Sequence, residues 1–125
     1  MATPYDYETY INLETFKQDG NGVKTPVWAA PLDGKLVIFT DGTSFKVKRL
    51  GRNARVRVAA CDARGNVRGP WKDGTGRIVD DTAHGERILA ALKKKYGWQM
   101  QIAHFFSTLS GRARRRKYLE LTLEG

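Results

Sequence analysis

The sequence predicts a mainly β (α+β) fold, a small antiparallel Greek-key barrel with two or three short helices packed outside. Three observations predict it: short alternating apolar stretches near both ends, turn-forming glycines between them, and one helical apolar repeat in the second half. At 125 residues, with 41% hydrophobic and 28% charged residues, the chain has the size and composition of one globular domain, residues 1–125.

Residues 7–16 place Ile11, Leu13 and Thr15 on one side and Asn12, Glu14 and Phe16 on the other, the period of a strand. A turn at residues 18–22 follows. Residues 23–30 read as extended, and Pro26, which offers no backbone donor, bars them from the centre of a sheet. Asp33-Gly34 closes a hairpin, because both residues tolerate positive φ, and residues 36–40 return as its second strand. Val47 and Leu50 lie three apart, so residues 43–53 read as a short helix with Thr43 or Ser44 as its cap. Residues 55–61 and 67–79 are two strands joined by a turn at 62–66, with Pro70 and Gly74 marking bends in the second. Ile88, Leu89, Leu92 and Tyr96 recur at helical spacing within residues 82–98, behind the polar residues 80–82. A second, shorter helix is expected over residues 99–110. The last strand, residues 118–123, places Leu119, Leu121 and Leu123 on one face.

Charge is concentrated. Of 22 lysines and arginines, six fall in residues 44–57, three in 93–95 and five in 112–117, all acid-free segments, and the net charge is +9. An anion is expected to dock nearby, either nucleic acid or a phosphorylated cofactor. No apolar run approaches the roughly 20 residues needed to span a bilayer, so a cytoplasmic protein is expected. The single cysteine, Cys61, lies in an apolar run and reads as a buried strand residue, with a redox thiol as the alternative. A chain this small encloses a large ligand more easily between two copies, which favours a homodimer.

The segment from Phe39 to Leu50 runs from a strand through Gly42 into a helix start, where free N–H groups, the hydroxyls of Thr43 and Ser44 and the ammonium of Lys46 can converge on a phosphate. The plainer reading is a capped helix whose Lys46, Lys48 and Arg49 face water. The stretch Lys24-Thr25-Pro26-Val27-Trp28 has backbone groups that its proline leaves unpaired and that suit the edge of a planar heterocycle; Trp28 either covers such a ring or joins the core. Lys93-Lys94-Lys95 in the last turns of a helix complement its dipole. His84 and His104 belong to no cluster with metal-ligand spacing, and no nucleophile elbow, Walker loop or dinucleotide fingerprint is present. Any catalysis would then rest on a bound cofactor.

Taken together, residues 25–28, 36–40, 44–50 and 52–56 resemble the pyridoxamine 5′-phosphate oxidase-like split-barrel superfamily of flavin-binding proteins, and within it the small deazaflavin-dependent branch. The resemblance runs from about Tyr10 to Trp98 and resumes at residues 118–122. It implies a split β-barrel that works as a homodimer, with two cofactor sites at the interface, each built from both subunits. It further implies that Lys24, Thr25, Pro26, Val27 and Trp28 line the isoalloxazine, that Phe39 and Thr40 lie beside it, and that Ser44 and Lys46 hold the phosphate. Lys24 stands where the oxidases proper carry arginine, and their C-terminal pyridoxal-phosphate residues have no counterpart, which argues against vitamin B6 oxidation. The cofactor implied is coenzyme F420 or FMN. The acidic tail of F420 would suit a basic groove formed by Lys48, Arg49, Arg52 or residues 112–117.

The activity implied is an oxidoreductase that passes hydride between the cofactor and a small organic substrate, with Tyr96, Trp98 and Tyr118 bordering the substrate space or simply packing. The alternatives are a cofactor carrier without turnover and a basic nucleic-acid-binding barrel. The last lacks a run of exposed aromatics at strand spacing, so nucleic acid is not the expected partner.

Overall fold

The computed structural model describes residues 3–41, 45–97 and 116–124. In chain order they form β1 (Tyr10–Phe16), β2 (Gly22–Val27), β3 (Ala30–Leu32), β4 (Lys35–Asp41), α1 (Phe45–Arg52), β5 (Arg55–Cys61), β6 (Lys72–Val79), α2 (Thr82–Tyr96) and β7 (Arg116–Leu123). The strands make one antiparallel sheet in the order β2-β1-β5-β6-β7-β4-β3. Non-sequential neighbours such as β1 with β5 and β7 with β4 are what a Greek-key arrangement requires.

Strand alternation sorts the side chains into two layers. Ile11 and Leu13 of β1, Leu36 and Ile38 of β4, Val56 and Val58 of β5 and Leu119 and Leu121 of β7 share one buried cluster, the inside of the curled sheet. On the outer face Ala30, Val37 and Val79 lie under Ile88, Leu92 and Tyr96 of α2. The apolar repeat of α2 therefore covers one side of the barrel. Asp81 caps this helix by accepting the Ala83 N–H at 3.2 Å, and Gly97, at φ 57°, ends it by donating to the Lys93 carbonyl at 2.8 Å.

The other helix is not wholly outside. Leu50 of α1 enters the interior cluster, where Gly76 of β6 makes room for it and Gly74 lets β7 pack closely. A Cβ at Gly76 would stand 3.2 Å from Leu50 Cδ2 and 3.0 Å from Leu121 Cδ2, while one at Gly74 would stand 2.6 Å from the Thr122 carbonyl oxygen. Gly74 sits in regular register opposite Val56 and Leu123, so it serves close packing and not the bend expected from sequence.

The hairpin at Asp33-Gly34 forms as expected, with φ of 55° and 78° and Leu32 opposite Lys35. Other boundaries shift. β1 starts at Tyr10, and the stretch 23–30 breaks after Val27 into two strands at opposite edges of the sheet. Residues 67–71 are not a strand, apart from a bridge between Val67 and Cys61, because Gly69 and Pro70 interrupt the ladder. Helix α2 ends at Tyr96, and the helix expected over 99–110 lies outside the described residues, as do the caps Thr43 and Ser44. Among the described residues no helix is long and apolar enough to cross a membrane.

Candidate functional site

Edge strand β2 holds four of the residues singled out for a heterocycle. Register with β1 pairs Lys24 with Glu14, Thr25 with Leu13, Pro26 with Asn12 and Val27 with Ile11. Directly opposed residues share a face, so Lys24 and Pro26 lie outside while Thr25 and Val27 turn inward. Val27 packs against the interior cluster. On the outer face the Lys24 ammonium and the Arg57 guanidinium each lie 5.2 Å from the ring centroid of Trp71, and Arg57 also bridges Glu14 at 3.3 Å and Asp73 at 3.4 Å. Asn12, only 4% exposed, donates to the Gly65 carbonyl at 2.9 Å. Its Oδ1 is buried without a partner, a spare acceptor on the same face as Pro26.

Trp28 leaves the strand. Its ring stacks on Tyr96 with centroids 4.6 Å apart and planes 9° from parallel, and both belong to the cluster under α2, together with Phe39 and Tyr118. The link between β2 and β3 is held at Ala29. The Tyr96 hydroxyl accepts the Ala29 N–H at 2.9 Å and lies within donating distance of the carbonyls of Thr9 (2.9 Å) and Ala29 (3.0 Å). Burial, opposed only in part by that N–H, pushes the phenol up to about 12. Lys95 donates to the carbonyls of Ala29 at 2.5 Å and Tyr5 at 3.3 Å. Burial lowers its ammonium below the usual lysine range, against the pull of Asp6 and Glu8. Tyr96 thus packs against Trp28 and holds the Ala29 backbone, and Lys95, in the last turn of α2, also clamps two backbone carbonyls.

The candidate phosphate site lies where β4 passes into α1. Lys46, in the first turn of α1, is half-buried, and burial followed by the nearby Arg49 charge lowers its ammonium below the usual range. Arg49 donates from Nε to Thr15 Oγ1 at 2.6 Å. Among the described residues neither cation has a carboxylate partner. Ser44 lies outside the described residues. Thr40 is at the end of β4, opposite Lys117, and Phe39 is opposite Tyr118. The structure therefore groups Trp28 with Phe39 beneath α2, places Lys46 on α1, and leaves Lys24 and Pro26 on a different face.

One cluster was not anticipated. Glu120 of β7, 5% exposed, accepts from Arg77 Nε at 2.9 Å, meets His84 Nε2 at 2.6 Å and lies 3.5 Å from Lys35 Nζ. Burial raises its carboxyl, but hydrogen bonds from His84 and Arg77 and the charges of Arg77 and Lys35 outweigh it and hold the group below the usual range. Its three partners come from three other elements, β4, β6 and α2, so sequence spacing carried no sign of it. Cys61 is buried, its thiol raised mainly by desolvation, which suits a structural residue.

No family model and no curated protein sequence matches the chain. Solved structures do. The heme storage protein HutZ of Vibrio cholerae superposes with a TM-score of 0.69 at 11% identity, over 94% of this chain and 83% of that one. A FAD-binding protein of Mesorhizobium loti gives 0.62 at 17% identity, over 96% and 82%. A candidate pyridoxamine 5′-phosphate oxidase of Listeria innocua gives 0.62 at 13% identity, over 94% and 85%. The chain has the fold of these split-barrel proteins.

Proposed function

We propose that this chain is a split-barrel flavoprotein, binding FMN or coenzyme F420 between two copies of itself and serving hydride transfer to or from a small organic substrate. The observation that carries the reading is Lys46. A half-buried ammonium beside Arg49, without a carboxylate partner among the described residues, is disfavoured in the free protein and favoured once a phosphate supplies the missing charge. The FAD-binding and candidate oxidase structures of the same fold support a flavin as the phosphate's bearer.

When bound, the cofactor supplies the redox chemistry. The chain's own residues bind and orient. Lys46, with Ser44, would hold the phosphate, and the backbone edge of β2 from Lys24 through Thr25 and Pro26 to Val27, with Thr40, would position the ring, while Trp28 and Phe39 support it from the cluster beneath α2. The stacked Tyr96 fixes the Trp28 indole, and the hydrogen bonds on Ala29 fix the backbone beside it. Catalysis would draw on proximity and orientation.

Titration of the apo-protein with FMN and with F420, followed by flavin or deazaflavin fluorescence, tests the reading. Micromolar binding of one or both is expected, and Lys46→Ala should weaken it by about 1.5–3 kcal/mol. Binding of neither at micromolar concentration overturns it. A second reading, storage of a cofactor without turnover, draws on the fold shared with the heme storage protein; it predicts bound cofactor that reduces no electron acceptor.

A further inference from the structure

Beside α2 lies an open groove of about 680 Å³, a size typical of small-molecule sites. Pro31 and Leu32 of β3 and Ala90 and Ala91 of α2 give it apolar walls. Three cations line it, Arg87, Lys94 and Lys95, against one carboxylate, Asp6. Arg87 is occupied by Asp33 at 2.7 Å. Lys95 is different: two backbone carbonyls hold its ammonium in place, and an ammonium has three donors. Lys94 is exposed, with no ion-pair partner among the described residues. At the edge of the groove stands Tyr7, 99% exposed, an unusual setting for an aromatic ring of this size.

We propose that this groove binds a small aromatic carboxylate. An aromatic body fits between the Tyr7 ring and the Pro31, Leu32, Ala90 and Ala91 surface, and a carboxylate at its end meets Lys94 and the remaining donor of Lys95. A neutral or cationic ligand of the same shape would leave Lys94 unanswered, while Lys95 would keep only the nearby charges of Asp6 and Glu8. The proposal does not rest on the cofactor reading, although Leu32 and Ala91 pack in the same cluster as Trp28 and Phe39 and Lys95 holds the Ala29 carbonyl next to Trp28.

Titration of the full chain with 2-naphthoate, followed by the ligand's own fluorescence, tests this, with 2-naphthalenemethanol as the uncharged counterpart. Saturable binding of the acid at about 10–100 µM is expected, at least about tenfold tighter than the alcohol. Ala90→Trp, which fills the groove from an exposed helical position, should weaken binding at least about tenfold. Lys94→Glu should weaken the acid and leave the alcohol unchanged. No saturable binding below about 1 mM, equal affinity for acid and alcohol, or wild-type affinity in both variants overturns the proposal. Matching thermal melts establish that the variants are folded, and Lys94→Glu alone decides if Ala90→Trp is not.

Discussion

The cations at α1 and those around α2 differ in what answers them. At α1, Lys46 feels the charge of Arg49, and among the described residues Arg49 meets the Thr15 hydroxyl and neither has a carboxylate partner. Around α2, Glu120 gathers Arg77, Lys35 and His84, Asp33 takes Arg87, Asp80 meets Lys117 at 3.4 Å, and Lys95 rests on two carbonyls. A net charge of +9 is thus not one undivided field. Cations with an internal counter-charge hold helix to sheet and strand to strand. Those without one remain to be neutralised by a molecule from outside.

Breaking the answered cluster should produce the largest effect. Glu120→Gln leaves Arg77 and Lys35 without their buried counter-charge and alters the hydrogen bond to His84, and urea denaturation should show a loss of about 2–3 kcal/mol, at or below the lower end for buried pairs because Arg77 and Lys35 are half in solvent. A loss under about 0.5 kcal/mol would mean that water already screens the cluster. Next, Tyr96→Phe removes the acceptor of the Ala29 N–H and should cost about 1–2 kcal/mol, read in the same way.

The pH dependence sharpens the comparison. Because the folded state holds the Glu120 carboxyl below its unfolded value, its contribution is present above the unfolded pKa and is lost as pH falls through the folded one. The wild type should therefore lose stability on acidification below about pH 4.5. Glu120→Gln should show a shallower slope in the same window, and superimposable slopes would remove Glu120 as the source. The smallest effect belongs to α1. Lys46→Met deletes a half-buried charge that has no carboxylate partner among the described residues and should leave the apo-protein as stable or more stable by about 0.5 kcal/mol, after solvent screening, while cofactor binding falls. A destabilised Lys46→Met would show that Lys46 has a partner within the chain.

Much of the fold was legible because its signals are local. The alternation of Ile11 and Leu13, the positive-φ pair Asp33-Gly34, the edge placement demanded by Pro26, and the repeat from Ile88 to Tyr96 each depend on residues within one element or turn. The insertion of β7 between β6 and β4 is a pairing across dozens of residues, and periodicity carries no information about it. The candidate site divides along the same line. Lys46 was legible from the strand-to-helix passage around it. The Glu120 cluster was not, because His84 and Glu120 are 36 residues apart and meet only once β7 has found its register. Nor was the role of Lys95, since a lysine at a helix end already has a sufficient local reason to be there.

The two outermost strands of the sheet each carry a proline, Pro26 in β2 and Pro31 in β3. Each removes a donor from a rim that would otherwise accept a further strand from another molecule. Continuation of the sheet from copy to copy, the route to fibres and runaway aggregation, is discouraged at both ends. Any contact between copies is accordingly steered toward the faces of the sheet, where side chains and not backbone ladders decide what fits.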